Sequence, residues 1–512
     1  MLLRSETIKF VIVSPYEEIH SYGVRSLSSY LKARGVRVSI IFCPLQSRFD
    51  AYLFQQKRRI LPRRIIDEIA RISADATCIG ISLMTDYFNA AVVLTKELKK
   101  RLPHLPILWG GIHPTILPEQ CTNYADFVCI GEGYESTYEL LQHIKRGDKF
   151  PRVAGICYRK DEKFIAADLR LPISNIDLLP FLDYALEGHY IRHGNAIVPL
   201  TVSLLKRYLG FWYTSFFTYG CPLNCSYCCN SFLHRLNPGY RQVYKHSPEY
   251  IIEEIKSVRK LHPFIKMVKF NDDNFMSLTE EEMESFAILQ RKFERTPFVV
   301  TGINPLFITE QKIDILVKAG LRRARIGIQA GSEKILREVY NRQIGNEDIV
   351  RSSKILSRYA KKLVPTAYDI ILDNPWEKTE DLVDTFELIC RLSRPFVLNI
   401  FSLKFYPRTA IWERAVKEGI INSVGDTAVY PKNYFTWQNN YLNCLIAIRG
   451  LIEIPPFLQK HLFDKQRIAE NRPVSLLYRN FINSLMLLKK AYVQVSRRDV
   501  TMLPYFIARM LI

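Results

Sequence analysis

The sequence predicts an α/β protein in three parts: a Rossmann-like (flavodoxin-like) doubly wound domain, a partial (β/α)6 barrel of the TIM type, and a helical C-terminal segment. Three observations predict it. Over residues 8–150 short apolar runs alternate with amphipathic helical patterns, which builds a parallel sheet covered by helices. Between about 206 and 430 further strand-helix units follow, six by count, fewer than the eight that close a full barrel. Beyond 431 the strand patterning stops and apolar residues recur at helical spacing. The expected boundaries are 1–150 for the first domain, 151–205 for a linker, 206–430 for the barrel and 431–512 for the C-terminal domain.

The first domain opens with an apolar strand over 8–13 and a helix over 24–32 that stops at Gly35, a C′ glycine. Strands are expected at 36–42, 76–83, 107–109 and 127–130, with a helix at 89–101. The linker contains an Asp-, Pro- and Leu-rich stretch over 175–181. Barrel strands are expected at 212–218, 266–270, 298–303, 323–328, 364–372 and 397–405. Helix starts are marked by Ser247 before Pro248 and by the capping box of Thr279 and Glu282, and one helix end by Gly320.

Hydrophobic residues make up 48% of the 512, enough for a large core. The eleven cysteines are scattered without pairing pattern, which points to a reducing cytoplasm rather than a disulfide framework. The first residues do not read as a signal segment, and no apolar run is long enough to span a bilayer. The net charge of +20 suits nucleic acid, an anionic membrane surface, anionic cofactors and substrates, or a merely solvated basic surface. From about 451 onward Arg472, Arg479, Lys489, Lys490, Arg497, Arg498 and Arg509 mix with Leu, Phe, Tyr and Met. That pattern reads as a surface for a membrane or lipid-like molecule, or as a helical cap with a solvated basic face.

Cys221, Cys225 and Cys228 stand in the spacing Cys-x3-Cys-x2-Cys, with Gly, Pro and Asn between them. Three thiolates this close can hold one cluster of four irons and leave one iron open. An open position separates a catalytic metal site from a sealed one, by analogy with zinc. The alternative is a zinc knot with Cys229 or His234 as fourth ligand. The spacing, with Tyr227 before the third cysteine, resembles the radical S-adenosylmethionine (radical SAM) superfamily. The resemblance implies a [4Fe-4S] cluster on the three cysteines and S-adenosylmethionine on its open iron. It further implies cofactor contacts at strand ends, here Tyr227, Asp272, Asp273, Asn304, Gln329 and Asp369, with Gln329 where relatives often carry Glu. Arg342 resembles an arginine that faces the cofactor carboxylate or caps a helix, and the segment 406–409 resembles the family's closing motif.

In the first domain Ser82 and Thr85, then Gly110, Gly111 and His113, then Gly131, Glu132 and Gly133 each follow a strand. Ligands of doubly wound sheets bind at such loops. In this order the loops resemble the cobalamin-binding domain that precedes many radical SAM cores; the alternative is a domain kept as scaffold. Glu18 and His20 lie near the pattern in which histidine becomes the lower cobalt ligand, but Glu replaces the usual Asp, and an exposed loop histidine is the expected reading. The resemblance implies a cobalamin-dependent C-methyltransferase: an adenosyl radical abstracts hydrogen, and methylcobalamin supplies the methyl group. Implied partners are a small-molecule or lipid-like substrate, an electron donor such as flavodoxin or ferredoxin, and peripheral contact with anionic membrane, with nucleic acid disfavoured. Competing readings are cobalamin-dependent ring formation or oxidation, methylthiolation of transfer RNA, and a binding module with a structural metal. Cys43, Cys78 and Cys121 resemble the N-terminal cysteines of methylthiolating enzymes in spacing but not in context.

Overall fold

Val- and Ile-rich runs make strands when both faces of a sheet are covered. The computed structural model describes residues 7–16, 18–44, 60–422, 437–455, 457–458, 462 and 470–496. In it the runs become β1 (Lys9–Ser14), β2 (Arg37–Phe42), β3 (Cys78–Ser82), β4 (Ile107–Gly110) and β5 (Phe127–Cys129). They pair in parallel in the order β5-β4-β3-β1-β2. That is the flavodoxin-like order, whose switch point between β1 and β3 opens a crevice at the strand carboxyl ends.

The stretch 151–205, expected as a linker, is folded into this sheet. β6 (Ile156–Lys160) and β7 (Lys163–Ile165) extend one edge, and β8 (Tyr190–His193) and β9 (Ala196–Pro199) the other. Both pairs are hairpins. Asp161 and Glu162 take positive φ of 50° and 60° in the first turn, as a type I′ turn requires. Asp183 fastens the stretch to the helix Tyr22–Lys32 by accepting from Ser28 Oγ (2.5 Å) and Lys32 Nζ (2.7 Å), while His189 Nε2 lies 3.0 Å away.

The described residues divide into two compact units, one holding those up to Tyr213 with Lys256–Ile265, the other Thr214–Ile255 and those from Lys266 to Ser496. The second is built on β10 (Trp212–Ser215), β13 (Met267–Phe270), β14 (Phe298–Ile303), β15 (Leu321–Gln329), β16 (Thr366–Leu372) and β17 (Phe396–Ser402), hydrogen-bonded in that order. β13 to β17 pair in parallel. A small antiparallel pair, β11 (Thr218–Tyr219) and β12 (Tyr244–Lys245), stands beside them. Phe217, Phe270, Phe275, Phe286 and Phe298 form the aromatic core, with centroids 5.4–6.1 Å apart. Thr279 and Glu282 form the expected capping box, and Gly320 ends its helix at φ 114°.

In the C-terminal region the helix Tyr441–Leu451 packs on the helix Thr379–Arg391 and on β17, and the helix Leu476–Ser496 packs on it in turn. Both helices belong to the second unit rather than to a separate body. Arg497, Arg498 and Arg509 lie outside the described residues.

Candidate active site

The cysteine loop leaves the sheet at Phe216, where the expected strand over 212–218 breaks. Asp272 causes the break: its Oδ1 accepts from the backbone N–H of Phe217 (3.0 Å) and Thr218 (2.5 Å). Asp273 Oδ2 accepts from the N–H of Gly220 at 3.1 Å. Gly220 sits at φ 86°, and a Cβ there would lie 2.2 Å from the carbonyl oxygen of Gln242, so only glycine fits. On the far side Ser226 donates to the carbonyl of Val339 (2.5 Å), its N–H to that of Tyr340 (3.0 Å), and its carbonyl accepts from Ile411 N–H (3.0 Å). The loop is thereby pinned at both ends by groups that leave the thiols unused.

Cys221 and Cys225 are buried and Cys228 partly so, and the three lie within mutual electrostatic range. Burial pushes the Cys221 thiol up to about 12 and raises that of Cys225. Arg342 opposes the rise at Cys225: its guanidinium stands 3.9 Å from Cys225 Sγ, donates to Tyr227 Oη at 2.9 Å and to the carbonyl of Gly327 at 2.8 Å. Buried neutral thiols beside a fixed cation suit ligands that lose their protons to a metal. Among the described residues no three His, Cys, Asp or Glu side chains are close enough to share one metal ion. His234 is buried, which lowers its imidazole, and its Nε2 has no hydrogen-bond partner among the described residues. A zinc knot needs its ligands to meet at one atom. A cubane takes one thiolate per iron, so these three residues fit the cluster and not the knot.

Tyr227, Gln329 and Asp369 line one cavity of about 390 Å³ with Arg325, Phe401, Lys404 and Tyr406. Gln329 holds φ 70° at a register shift in β15, a strained conformation of the kind found at ligand sites. Asp272, Asp273 and Asn304 are not in this lining: the first two position the cysteine loop, and Asn304 Oδ1 caps a turn by accepting from Leu306 N–H at 3.0 Å. Burial raises Asp272 to about 7, and its Oδ2 has no partner among the described residues. Asp373, at the end of β16, accepts from Ser402 Oγ (2.6 Å), Gln438 N–H (2.9 Å) and Asn443 Nδ2 (3.1 Å), anchoring the C-terminal region. Sequence reasoning missed Arg325 and Lys404. The alternation of Arg323 and Arg325 with buried Ala324 and Ile326 along β15 was the available signal.

In the first unit the loops after β3, β4 and β5 gather at the carboxyl edge. Ser82 Oγ and Tyr16 Oη are 2.7 Å apart. Gly111, at φ 108°, packs so closely that a Cβ would lie 2.8 Å from the carbonyl oxygen of Leu83. Gly131 N–H donates to Thr115 Oγ1 at 3.0 Å, Glu132 accepts from Ile173 N–H at 2.9 Å, and Gly133 opens the helix Tyr134–Arg146. Ser82, Gly110, Gly131, Glu132 and Gly133 are partly exposed and Gly111 is exposed, a backbone-rich surface that fits a large planar ligand.

Thr85 and His113 lie beneath this surface. His113 Nδ1 is 3.2 Å from Thr85 Oγ1 and Nε2 is 3.2 Å from Gln120 Oε1, and burial lowers the imidazole to about 4. His113 is thus a neutral packing residue of the short helix Ile112–Ile116, not a contact at the surface. His20, expected to be an exposed loop histidine, is buried, and its Nε2 accepts from Trp212 Nε1 at 3.0 Å. One of its two ring nitrogens is thereby engaged. Arg25 holds this turn through the carbonyls of Ile19 and His20.

Two family models match the chain: the B12 binding domain over residues 8–141 and the radical SAM superfamily over 215–389. The chain belongs to the cobalamin-binding radical SAM enzymes, whose cofactors are cobalamin, a [4Fe-4S] cluster and S-adenosylmethionine. It is 24% identical over 388 residues to the uncharacterized methyltransferase PH0819 of Pyrococcus horikoshii, covering 72% of this chain and 78% of that one. It is 23% identical to the anaerobic magnesium-protoporphyrin IX monomethyl ester cyclase of Synechocystis, covering 64% of this chain and 60% of the relative. Among solved structures it resembles the radical SAM methyltransferase TsrM of Kitasatospora setae, bound to tryptophan and a SAM analogue, with a TM-score of 0.64 at 16% identity. That likeness covers 84% of this chain and 80% of TsrM, and shows the fold.

Proposed function

We propose that the protein is a cobalamin-dependent radical SAM methyltransferase acting on an unactivated carbon of a small molecule. The observation that carries this reading is the pinned loop of Cys221, Cys225 and Cys228 in a chain that also bears the loops of a B12-binding domain. The relatives named methyltransferases support it. When bound, the cluster with S-adenosylmethionine supplies a carbon radical oxidant, and cobalamin supplies a transferable methyl group.

The protein's own residues do the following. Cys221, Cys225 and Cys228 hold the cluster as thiolates, and Arg342 steadies the charge on Cys225. Tyr227, Gln329 and Asp369 orient the sulfonium nucleoside in the cavity. Phe401, Leu403 and Ile371 in its wall exclude water from the reactive centre. Ser82, Gly110, Gly111, Gly131, Glu132 and Gly133 cradle the corrin.

An external one-electron donor such as flavodoxin or ferredoxin completes the reading, which is cytoplasmic. No helix among the described residues is long and apolar enough to cross a membrane. Peripheral contact with lipid is the finer part of the proposal. On the helix Leu476–Ser496, Leu477, Phe481, Leu488 and Tyr492 are 61–77% exposed, while Arg479, Lys489 and Lys490 turn inward to protein oxygens. The outward face is therefore apolar rather than basic. Flotation with anionic liposomes tests it; a protein that stays at the bottom of the gradient lacks this contact.

The decisive experiment is anaerobic reconstitution followed by measurement of iron, sulfide, cobalamin and the products of S-adenosylmethionine. Both 5′-deoxyadenosine and S-adenosylhomocysteine are expected. Deoxyadenosine alone would favour a reaction without methyl transfer, in keeping with the cyclase relative. Zinc in place of iron would overturn the reading.

A further inference from the structure

β1 and β3 lie side by side, paired through Val13 and Ile81, and their carboxyl ends flank the switch-point crevice where doubly wound sheets take their ligands. Tyr16 stands two residues beyond the end of β1, and Ser82 is the last residue of β3. The 2.7 Å contact between Tyr16 Oη and Ser82 Oγ therefore carries the phenol from one strand end to the other, across the mouth of the crevice. The ring meets Tyr87 edge-on, with centroids 5.2 Å apart and planes at 80°. Tyr87 is buried, and its N–H donates to the Met84 carbonyl at 2.9 Å. The same loop is tied to β4 by Leu83 N–H, which donates to the Gly110 carbonyl at 2.8 Å. At the other end Ser14 Oγ and Ser21 Oγ are 2.7 Å apart, which draws the two ends of the β1 loop together. Ring and hydroxyl are each held, so the phenol has one fixed place.

That place borders the surface formed by the loops after β3, β4 and β5. The glycines of those loops present backbone. Tyr16, half-buried, presents a flat aromatic ring, and Met84 on the β3 loop is 43% exposed. An aromatic ring and a thioether at the open edge of a sheet suit a large apolar ring system. Burial raises the Tyr16 phenol above its ordinary value, so it keeps its proton at neutral pH, whereas a metal ligand must give its proton up. What Tyr16 has to offer a cofactor is therefore the face or edge of its ring.

We infer that Tyr16 is a contact residue of the cofactor cradle: its ring packs against the corrin ring system, and Ser82 holds the ring in place through the hydroxyl. The contact is one of packing and not of cobalt ligation. The inference rests on the corrin reading of these loops and deepens it by naming a side chain where the glycines present only backbone.

The test is equilibrium dialysis of the reconstituted full-length protein against cobalamin and, separately, against cobinamide, which has the corrin but not the nucleotide arm. The parent should bind both. Tyr16→Leu, which keeps bulk but not the flat ring, should weaken both about tenfold and change the visible circular dichroism of bound cobinamide. Tyr16→Phe, which keeps the ring and loses only the Ser82 bond, should stay within about threefold of the parent. Should Tyr16→Leu fail to fold, Tyr16→Trp, a larger flat ring, carries the test through the same change in circular dichroism. Unchanged binding and an unchanged spectrum in a folded variant would overturn the contact. Weakening of cobalamin alone would also overturn it, assigning the ring to the nucleotide arm. A parent that binds neither ligand would overturn the corrin reading of the loops itself, and the contact with it.

Discussion

Arg342 and His113 use burial in opposite ways. The Arg342 guanidinium is buried against Cys225 and Tyr227, where a cation lowers the cost of thiolate formation. Arg342→Met should reduce iron and sulfide retained after reconstitution several-fold, and Arg342→Lys should restore only part, since a single ammonium cannot serve Cys225, Tyr227 and the Gly327 carbonyl together. His113 is a neutral imidazole sealed under the cofactor loops. Its folded value of about 4 lies below the ordinary 6.5, so the unfolded chain takes up the proton first as pH falls. The stability from the neutral ring is present above about pH 6.5 and lost progressively toward pH 4, up to about 3 kcal/mol. Melting temperature against pH should show this slope, and His113→Gln should flatten it. The sequence marked His113 as a loop residue after β4; it does follow β4, but within the short helix Ile112–Ile116. Its inward direction depends on Thr85 and Gln120 meeting it, a contact no local pattern encodes.

At the scale of elements, strands β15 and β16 carry Gln329 and Asp369, while the shapes of the loops depend on single positions. Gly220→Ala places a Cβ against the Gln242 carbonyl at a positive φ, which costs at least about 1–3 kcal/mol in strain. The variant should melt lower and take up less iron than the parent, by colorimetric assay. Asp373 plays the corresponding part at the end of β16. Asp373→Ala should free the Gln438 N–H and Asn443 side chain, seen as faster hydrogen exchange over 437–443 with the β16 amides unchanged. Most strands were legible, because period and β-branching report burial directly. Two features were not. The break after Ser215 needs Asp272, beyond the end of β13 and more than fifty residues along the chain, to accept the Phe217 and Thr218 amides. The hairpins within 151–205 are short strands whose turn residues, Asp161-Glu162 and Gly194-Asn195, are weak signals beside the Asp- and Pro-rich run that suggested a linker.

At the scale of the whole chain, each of the two compact units holds the residues proposed for one cofactor site. Loading should therefore be separable. His20→Ala should keep bound cobalamin by its visible spectrum, because His20 is buried and its Nε2 is engaged by Trp212; loss of cobalamin would make that residue a ligand. Cys225→Ala should abolish S-adenosylmethionine cleavage while leaving the cobalamin spectrum in place. The sequence by itself determined the α/β class, the six-strand core, the cysteine triplet and the glycine loops, since each is written in local period or spacing. Only the tertiary structure decided which strand-end residues face the cavity, that His20 and His113 point inward, and that Lys490 reaches Asn399 across 91 residues of chain. The reason is physical: spacing fixes what neighbours along the chain can share, whereas the direction of a side chain and the charge it meets are set by packing between elements far apart in sequence.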